Sequence, residues 1–413
     1  MTTDAATVTI IGGGVHGVHL ATRLLDTGVV EHSELRIVDP NGLLGGFRQK
    51  CRQCGMRELR SPFVHHVSTD PFCLRDFARA RGREDELIAS DIGAERPTLS
   101  LFFDHADWVC DQYDLESVHV DAAATTLVDN GEYVDVVTTA GQFTTEWCLL
   151  AIGNGTAYSY PKWARELSAT APVTHVWEPE FDLEAVGETA AVGIVGGGIT
   201  AGQLATALAQ PGRTVTVFAR SPFRVESLEA STDWMHVSGI VDDLHDLPPA
   251  SRARAQTVAD ARYDGTIPPH VFRRLRRALD RESLTLEQTE ITVATEAGGT
   301  VVVTCRDGTA KCLDTIICAT GFDSPYEGSL FRRLRSESSL QTGYRGAPVL
   351  DDESLQWVRE DGTRSQVVVS GVAAQHVLGP FARNIIGARR AGDRIIETLE
   401  NELAATARES ARV

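Results

Sequence analysis

Two stretches of this chain are built alike and leave few folds open. "TVTIIGGGVHGVHLATRLL" starts at residue 7 and "AAVGIVGGGITAGQLATAL" at residue 190. In each, an apolar, β-branched run ends in a glycine cluster, and apolar residues then return at helical spacing. A strand, a tight turn and a helix in that order belong to an α/β fold with parallel sheets covered by helices. In the first unit Gly12 permits the tight turn. Gly14 leaves room for a pyrophosphate against the backbone, and Gly17 lets helix and strand pack closely. Free N–H groups at the helix start then face the phosphates. Asp39 ends the next strand, "ELRIVD", where an acid accepts hydrogen bonds from a ribose diol.

The second unit keeps Gly196 and Gly198, followed by Thr200 and Ala201. Its next strand, "TVTVFARS", puts Ala219 where the first has Asp39, with Arg220 and Ser221 after it. Loss of the carboxylate and gain of a guanidinium favour a ribose carrying a 2′-phosphate, so NADPH over NADH. Arg224 is a further contact for that phosphate.

"EWCLLAIGNG" ends in Gly153 and "LDTIICATGFDSPY" contains Thr320 and Gly321. Both resemble the small-residue crossovers of flavoproteins with two dinucleotide domains. Gly45 and Gly46, shortly after the acid and followed by Phe47, resemble the paired glycines of FAD-binding domains. The expected architecture is α/β, with two Rossmann-like dinucleotide-binding domains, the NADPH domain inserted into the FAD domain. The expected boundaries are 1–156 for the first part of the FAD domain, 157–187 for a proline-bearing linker, 188–318 for the NAD(P)H domain and 319–413 for the rest of the FAD domain.

Taken together, these motifs resemble the class B flavin monooxygenases, nearest the N-hydroxylating ornithine/lysine hydroxylase group. "GGGITAG" is similar to that group's GxGxSA, with Thr200 for Ser, and "DTIICATGF" to its D-x3-L/F-ATGY, with Cys318 and Phe322 substituted. The resemblance implies that NADPH reduces FAD, and that oxygen then supplies one atom to a nucleophilic nitrogen or sulfur of a small molecule. It also implies a final helix whose N-terminus points at the flavin, which brings Gly379, Pro380, Arg383 and Asn384 to the cofactor, with Pro380 in the first helical turn. Two departures stand out. No FxGxxxHxxxW pattern surrounds His175, and the proline that ornithine/lysine hydroxylases usually carry in the first glycine motif is absent.

"LRSPFVHH" falls where those enzymes have a loop beside the flavin. Arg60, Ser61, His65 and His66 are its candidates for contact with flavin or substrate. Adjacent histidines on a strand point to opposite faces, so one at most would face the site. Arg273, Arg274, Arg276 and Arg277 read as the solvated face of a helix begun by Pro268 and Pro269, the alternative being contacts for the NADPH phosphates. Cys51-x-x-Cys54 follows Gly46 and raises an alternative, a pyridine-nucleotide-dependent reductase with a disulfide, quinone or protein acceptor. Its spacing departs from the CxxxxC of glutathione-reductase-like enzymes, and no second CxxC exists to complete a four-cysteine zinc site. A non-catalytic flavin/NADPH redox sensor is the third class.

The formal charge of −18 disfavours nucleic acid and anionic membranes as partners. The only lysines are Lys50, Lys162 and Lys311. Few lysines among many carboxylates fit adaptation to high salt, or simply a GC-rich genome. The start, "MTTDAAT", has no basic region or cleavable apolar core, so a cytoplasmic location is expected, with no metal and with a homo-oligomer left open.

Overall fold

Each glycine-bearing strand lies inside its own parallel sheet. The computed structural model describes residues 6–91, 93–155, 157–235 and 240–410. The first sheet runs in the order Gln356–Val358, Arg364–Val369, Gly141–Leu150, Ala6–Ile11, Leu35–Val38 and His119–Val120. Strand Ala6–Ile11 is parallel to both neighbours. Val8, Thr9 and Ile10 are all fully buried, so both faces of the strand are covered, which explains the unbroken β-branched run. Strands Ala124–Asp129 and Val134–Thr138 extend it as an antiparallel meander onto Gly141–Leu150.

The second sheet runs Leu284–Glu287, Thr214–Phe218, Ala191–Val195, Thr315–Cys318 and Val173–His175, all parallel. Its strands fall, in sequence, between the two stretches that build the first sheet. The stretch expected as a linker, 157–187, contributes the edge strand Val173–His175. An antiparallel trio, Ile291–Ala297, Thr300–Cys305 and Ala310–Leu313, precedes the crossover strand.

The described residues form three separate apolar clusters, one of them around Trp163, Phe218, Val303 and Ile316 and the other two larger. Of the larger two, one gathers around Val8, Ile10, Leu20 and Leu149, the other around Val192, Ile194, Leu204 and Val217. The long helix Ile385–Ser410 packs on helix Val15–Thr27, with Ala388, Ile395 and Leu399 fully buried. It starts later than the sequence implies. Helix Gln375–Leu378 ends at Gly379, whose φ of +76° stops it, and Pro380 lies in the turn that follows rather than in a first helical turn. Among the described residues, no helix is long and apolar enough to cross a membrane.

Candidate functional site: two nucleotide seats and the loop between them

The same backbone device forms both seats. Gly12 N–H donates to Val38 O at 2.9 Å, and Gly196 N–H to Phe218 O at 3.0 Å. Ala151 N–H donates to Ile11 O at 2.9 Å, and Ala319 N–H to Val195 O at 2.8 Å. A side chain at Gly12, whose φ is +111°, would begin 2.7 Å from Ala151 O; one at Gly196, with φ +156°, would begin 2.6 Å from Ala319 O. Each turn therefore nests against the crossover strand and accepts only glycine. At Gly17 a Cβ would run into Gly12 O.

The first seat is open where a diphosphate would lie. Nothing stands within 4 Å of the place a Cβ would occupy on Gly14, the residue that caps helix Val15–Thr27. A second helix, Gly45–Gln53, begins alongside, tied in by Leu44 N–H to Gly13 O at 2.7 Å; the Cβ position of Gly46 is likewise open. The Asp39 carboxylate accepts Gly13 N–H and Asn41 N–H, both at 2.8 Å. Oδ1 also accepts Asn41 Nδ2 at 3.3 Å, so Oδ2 is the oxygen with a lone pair left for a ribose hydroxyl. Gly12, Gly14, Gly17, Asp39, Gly45 and Gly46 are thus brought together as a cradle that fits a dinucleotide. Gly153 follows directly on the crossover strand at the same edge.

A feature the sequence reading missed closes this seat from behind. His16, inside the glycine motif, places Nε2 3.1 Å from Asn384 O and Nδ1 2.9 Å from Ser370 Oγ. A carbonyl only accepts, so Nε2 carries the proton and Nδ1 accepts from the serine hydroxyl. Burial keeps this ring neutral, with its pKa lowered to about 4. His16 therefore joins the first glycine turn to the start of the last helix. Arg383, beside Asn384, is open to solvent yet ringed by protein, as a side chain lining a deep cleft is. That desolvation, with Arg262 nearby, lowers its pKa to about 10. Arg262 also donates to Pro380 O at 2.9 Å.

In the second seat Ala219 faces the middle glycine, Gly197, as Asp39 faces Gly13. Arg220 and Ser221 are exposed at the end of that strand. Arg224 is occupied otherwise, with its guanidinium 3.9 Å above the Tyr263 ring. Thr200 lies in the first turn of helix Ile199–Leu208, and Ala201 is fully buried. Thr320 and Gly321 belong to the crossover: Thr320 Oγ1 donates to Ser159 O, and Ser159 N–H to Gly321 O at 3.0 Å. His175 is buried beside this crossing and stacks on Tyr158 at 5.0 Å.

Loop 57–71 spans the two units, in turns rather than as a strand. Its candidates part company. Arg60 donates to Ser227 O and Glu226 O at 2.8 Å and to Thr266 Oγ1 at 3.0 Å, all in the second unit. His66 is buried, donating from Nε2 to Pro71 O and accepting Ser68 N–H at Nδ1, both at 3.2 Å; its pKa is about 4 and its role in this arrangement is to hold the loop. His65 is half-buried and, through burial and the neighbouring Arg389 and Arg390, also falls to about 4. Ser61 is half-buried beside them. Arg389 donates to Ser68 O and Thr69 O, tying the loop to the last helix. Glu58, 6% exposed, accepts both contacts of Arg274 at 2.6 and 2.9 Å. Arg274 thus leaves the expected solvated face for a buried ion pair between the units, while Arg273, Arg276 and Arg277 stay exposed.

Cys51 and Cys54 are reduced and each 1% exposed, in different cores. Burial pushes both thiols up, Cys54 to about 12.

Residues 9–155 match a family model described as FAD-NAD(P)-binding. Comparison with curated proteins by sequence finds no match. Among solved structures, ornithine hydroxylase from Pseudomonas aeruginosa superposes with a TM-score of 0.76 at 16% identity, covering 97% of this chain and 100% of its own. L-lysine 6-monooxygenase from Pseudomonas syringae gives 0.74 at 18%, covering 96% and 99%. Bacillithiol disulfide reductase from Staphylococcus aureus gives 0.61 at 15%, covering 96% and 99%. The chain thus has a segment that matches an FAD-NAD(P)-binding model, within a fold that it shares, end to end, with ornithine hydroxylase, L-lysine 6-monooxygenase and bacillithiol disulfide reductase.

Proposed function

We propose that the protein is an FAD-dependent, NADPH-using monooxygenase acting on a nucleophilic nitrogen, or else a sulfur, of a small molecule. The observation that carries this reading is the paired cradle: Gly12 against Ala151 and Gly196 against Ala319, each at the start of a helix and at the edge of a parallel sheet. FAD, when bound, supplies the redox and oxygen chemistry. Gly12, Gly14, Gly17, Asp39, Gly45 and Gly46 would hold its diphosphate and ribose. Gly196, Gly198 and Arg220 would hold NADPH, the guanidinium meeting the 2′-phosphate. Gly153, Gly379, Pro380, Arg383 and Asn384 would border the flavin, with the N-terminus of helix Ile385–Ser410 favouring negative charge there. Ser61 and His65 are the loop residues left to face flavin or substrate, and a His65 neutral near pH 7 donates or accepts one hydrogen bond.

The end-to-end likeness to ornithine and lysine hydroxylases favours nitrogen. The reductase alternative loses support from the cysteines: both are buried, and burial opposes formation of a thiolate nucleophile. We assign the enzyme to the cytoplasm and read its acidic surface as adapted to high salt. The test is oxygen accounting with purified protein, NADPH and a panel of ω-amino acids and diamines. Hydroxylated product in step with NADPH supports the reading. NADPH oxidation that runs only with a disulfide or quinone acceptor replaces it with a reductase, and no oxidation at all with a sensor.

A further inference from the structure

The second seat is roofed by the chain itself. The Cβ position of Gly198, where a pyrophosphate would approach, lies 3.6 Å from Gly265 Cα and 3.9 Å from Thr266 O. Gly265 holds φ +60°, and a side chain on it would start 3.5 Å from Gly197 O. Ile267 presses onto the seat's helix, its Cδ1 2.5 Å from where a Cβ on Gly202 would be. The equivalent space over Gly14 in the first seat is empty of protein. So the stretch 265–267, which pairs with Arg224–Val225, covers one of two otherwise matching cradles.

Three anchors, besides the burial of Ile267 and Tyr263 N–H to Glu229 O at 2.8 Å, hold that stretch. Arg224–Val225 pairs in parallel with Thr266–Ile267, and Glu226 N–H donates to Ile267 O at 3.0 Å. Arg224 stacks on Tyr263. The third anchor comes from the other unit: Arg60 donates to Thr266 Oγ1 and to the carbonyls of Glu226 and Ser227, with Glu229 3.6 Å away. Arg60 thus sits between Ser61 of the loop beside the first seat and the roof of the second.

Resting on the reading of the second seat as a nicotinamide-nucleotide site, we propose that 263–267 is a strap closed over it and that Arg60 is the positioning residue that latches it. NADP+ then binds only the fraction of molecules whose strap is off. Its apparent affinity is reduced by that fraction. Release of Arg60 also frees the loop that carries Ser61 and His65, so filling one seat is felt at the other.

Thr266→Val removes the hydroxyl acceptor and keeps the side chain's shape. A hydrogen bond to a charged donor is strong enough that its loss raises the open fraction roughly tenfold. Flavin-loaded full-length protein is mixed rapidly with NADP+ and followed by intrinsic tryptophan fluorescence. The wild type is expected to show a rate that levels off as NADP+ rises. Thr266→Val raises that ceiling and tightens binding, each roughly tenfold, and Arg60→Ala does at least as much. Hydrogen exchange at the amides of 263–267 speeds up in the same variants without nucleotide. A rate that climbs linearly with NADP+ and is unchanged in Thr266→Val overturns the strap and leaves the seat standing. Equilibrium dialysis showing no NADP+ bound by the wild type or either variant overturns the seat itself.

Discussion

The two seats share a backbone and differ in what surrounds it. Gly12 and Gly196 meet Ala151 O and Ala319 O within 0.1 Å of the same distance, 2.7 and 2.6 Å. Yet one carries Asp39 and the other Ala219; one closes on Gly17 and the other on Ala201; one is open above Gly14 and the other roofed above Gly198. The strand–turn–helix geometry is common to both, and in the function and strap proposed above the neighbouring side chains set which nucleotide enters and how readily.

The hardest way to break the comparison is at the third glycine. Gly17→Ala drives a Cβ into Gly12 O, so it should destabilise the protein by more than about 4 kcal/mol in chemical denaturation, although the second seat lives with alanine at the matching position. Gly14→Val is expected to fold, because its space is open, and to weaken FAD binding at least about a hundredfold in flavin titrations. Arg220→Ala should raise KM for NADPH roughly tenfold and leave KM for NADH unchanged, which separates the two seats by the 2′-phosphate alone. Stability has a pH window. His16, His65 and His66 have folded pKa values of about 4, below the unfolded 6.5, so the unfolded chain takes protons first. Their contribution is complete above pH 6.5 and is lost as pH falls towards about 4, which thermal unfolding across that range will show as a falling midpoint. The smallest effect is expected at the cysteines: Cys51→Ser and Cys54→Ser should keep NADPH oxidation and cost about 1–3 kcal/mol each for a buried hydroxyl.

The skeleton was legible because glycine positions are dictated locally. The turn needs φ values that only glycine takes freely, and the apolar period on either side states strand and helix directly. The exchange of Asp39 for Ala219 was legible for the same reason, being a fixed offset along a repeated unit. What bridges the units was not. Arg60 reads as a substrate contact and Arg274 as a solvated charge until Glu226, Ser227 and Thr266 fold against the one and Glu58 against the other. His16 reads as filler between glycines until residues 370 and 384 arrive beside it. Pro380 reads as a helix start, but Gly379's positive φ ends one helix and delays the next. The Arg60, Arg274 and His16 cases depend on contacts across more than a hundred residues of chain, for which periodicity holds no signal, and the Pro380 case turns on one backbone angle.

The central claim is that two seats hold two coenzymes and pass electrons from the second to the first. Anaerobic mixing of flavin-loaded protein with NADPH tests it most directly. One equivalent of NADPH should bleach the flavin's visible band in the wild type and do so far more slowly in Arg220→Ala. A protein that takes up no flavin, or whose bound flavin keeps its colour under excess NADPH, contradicts the account.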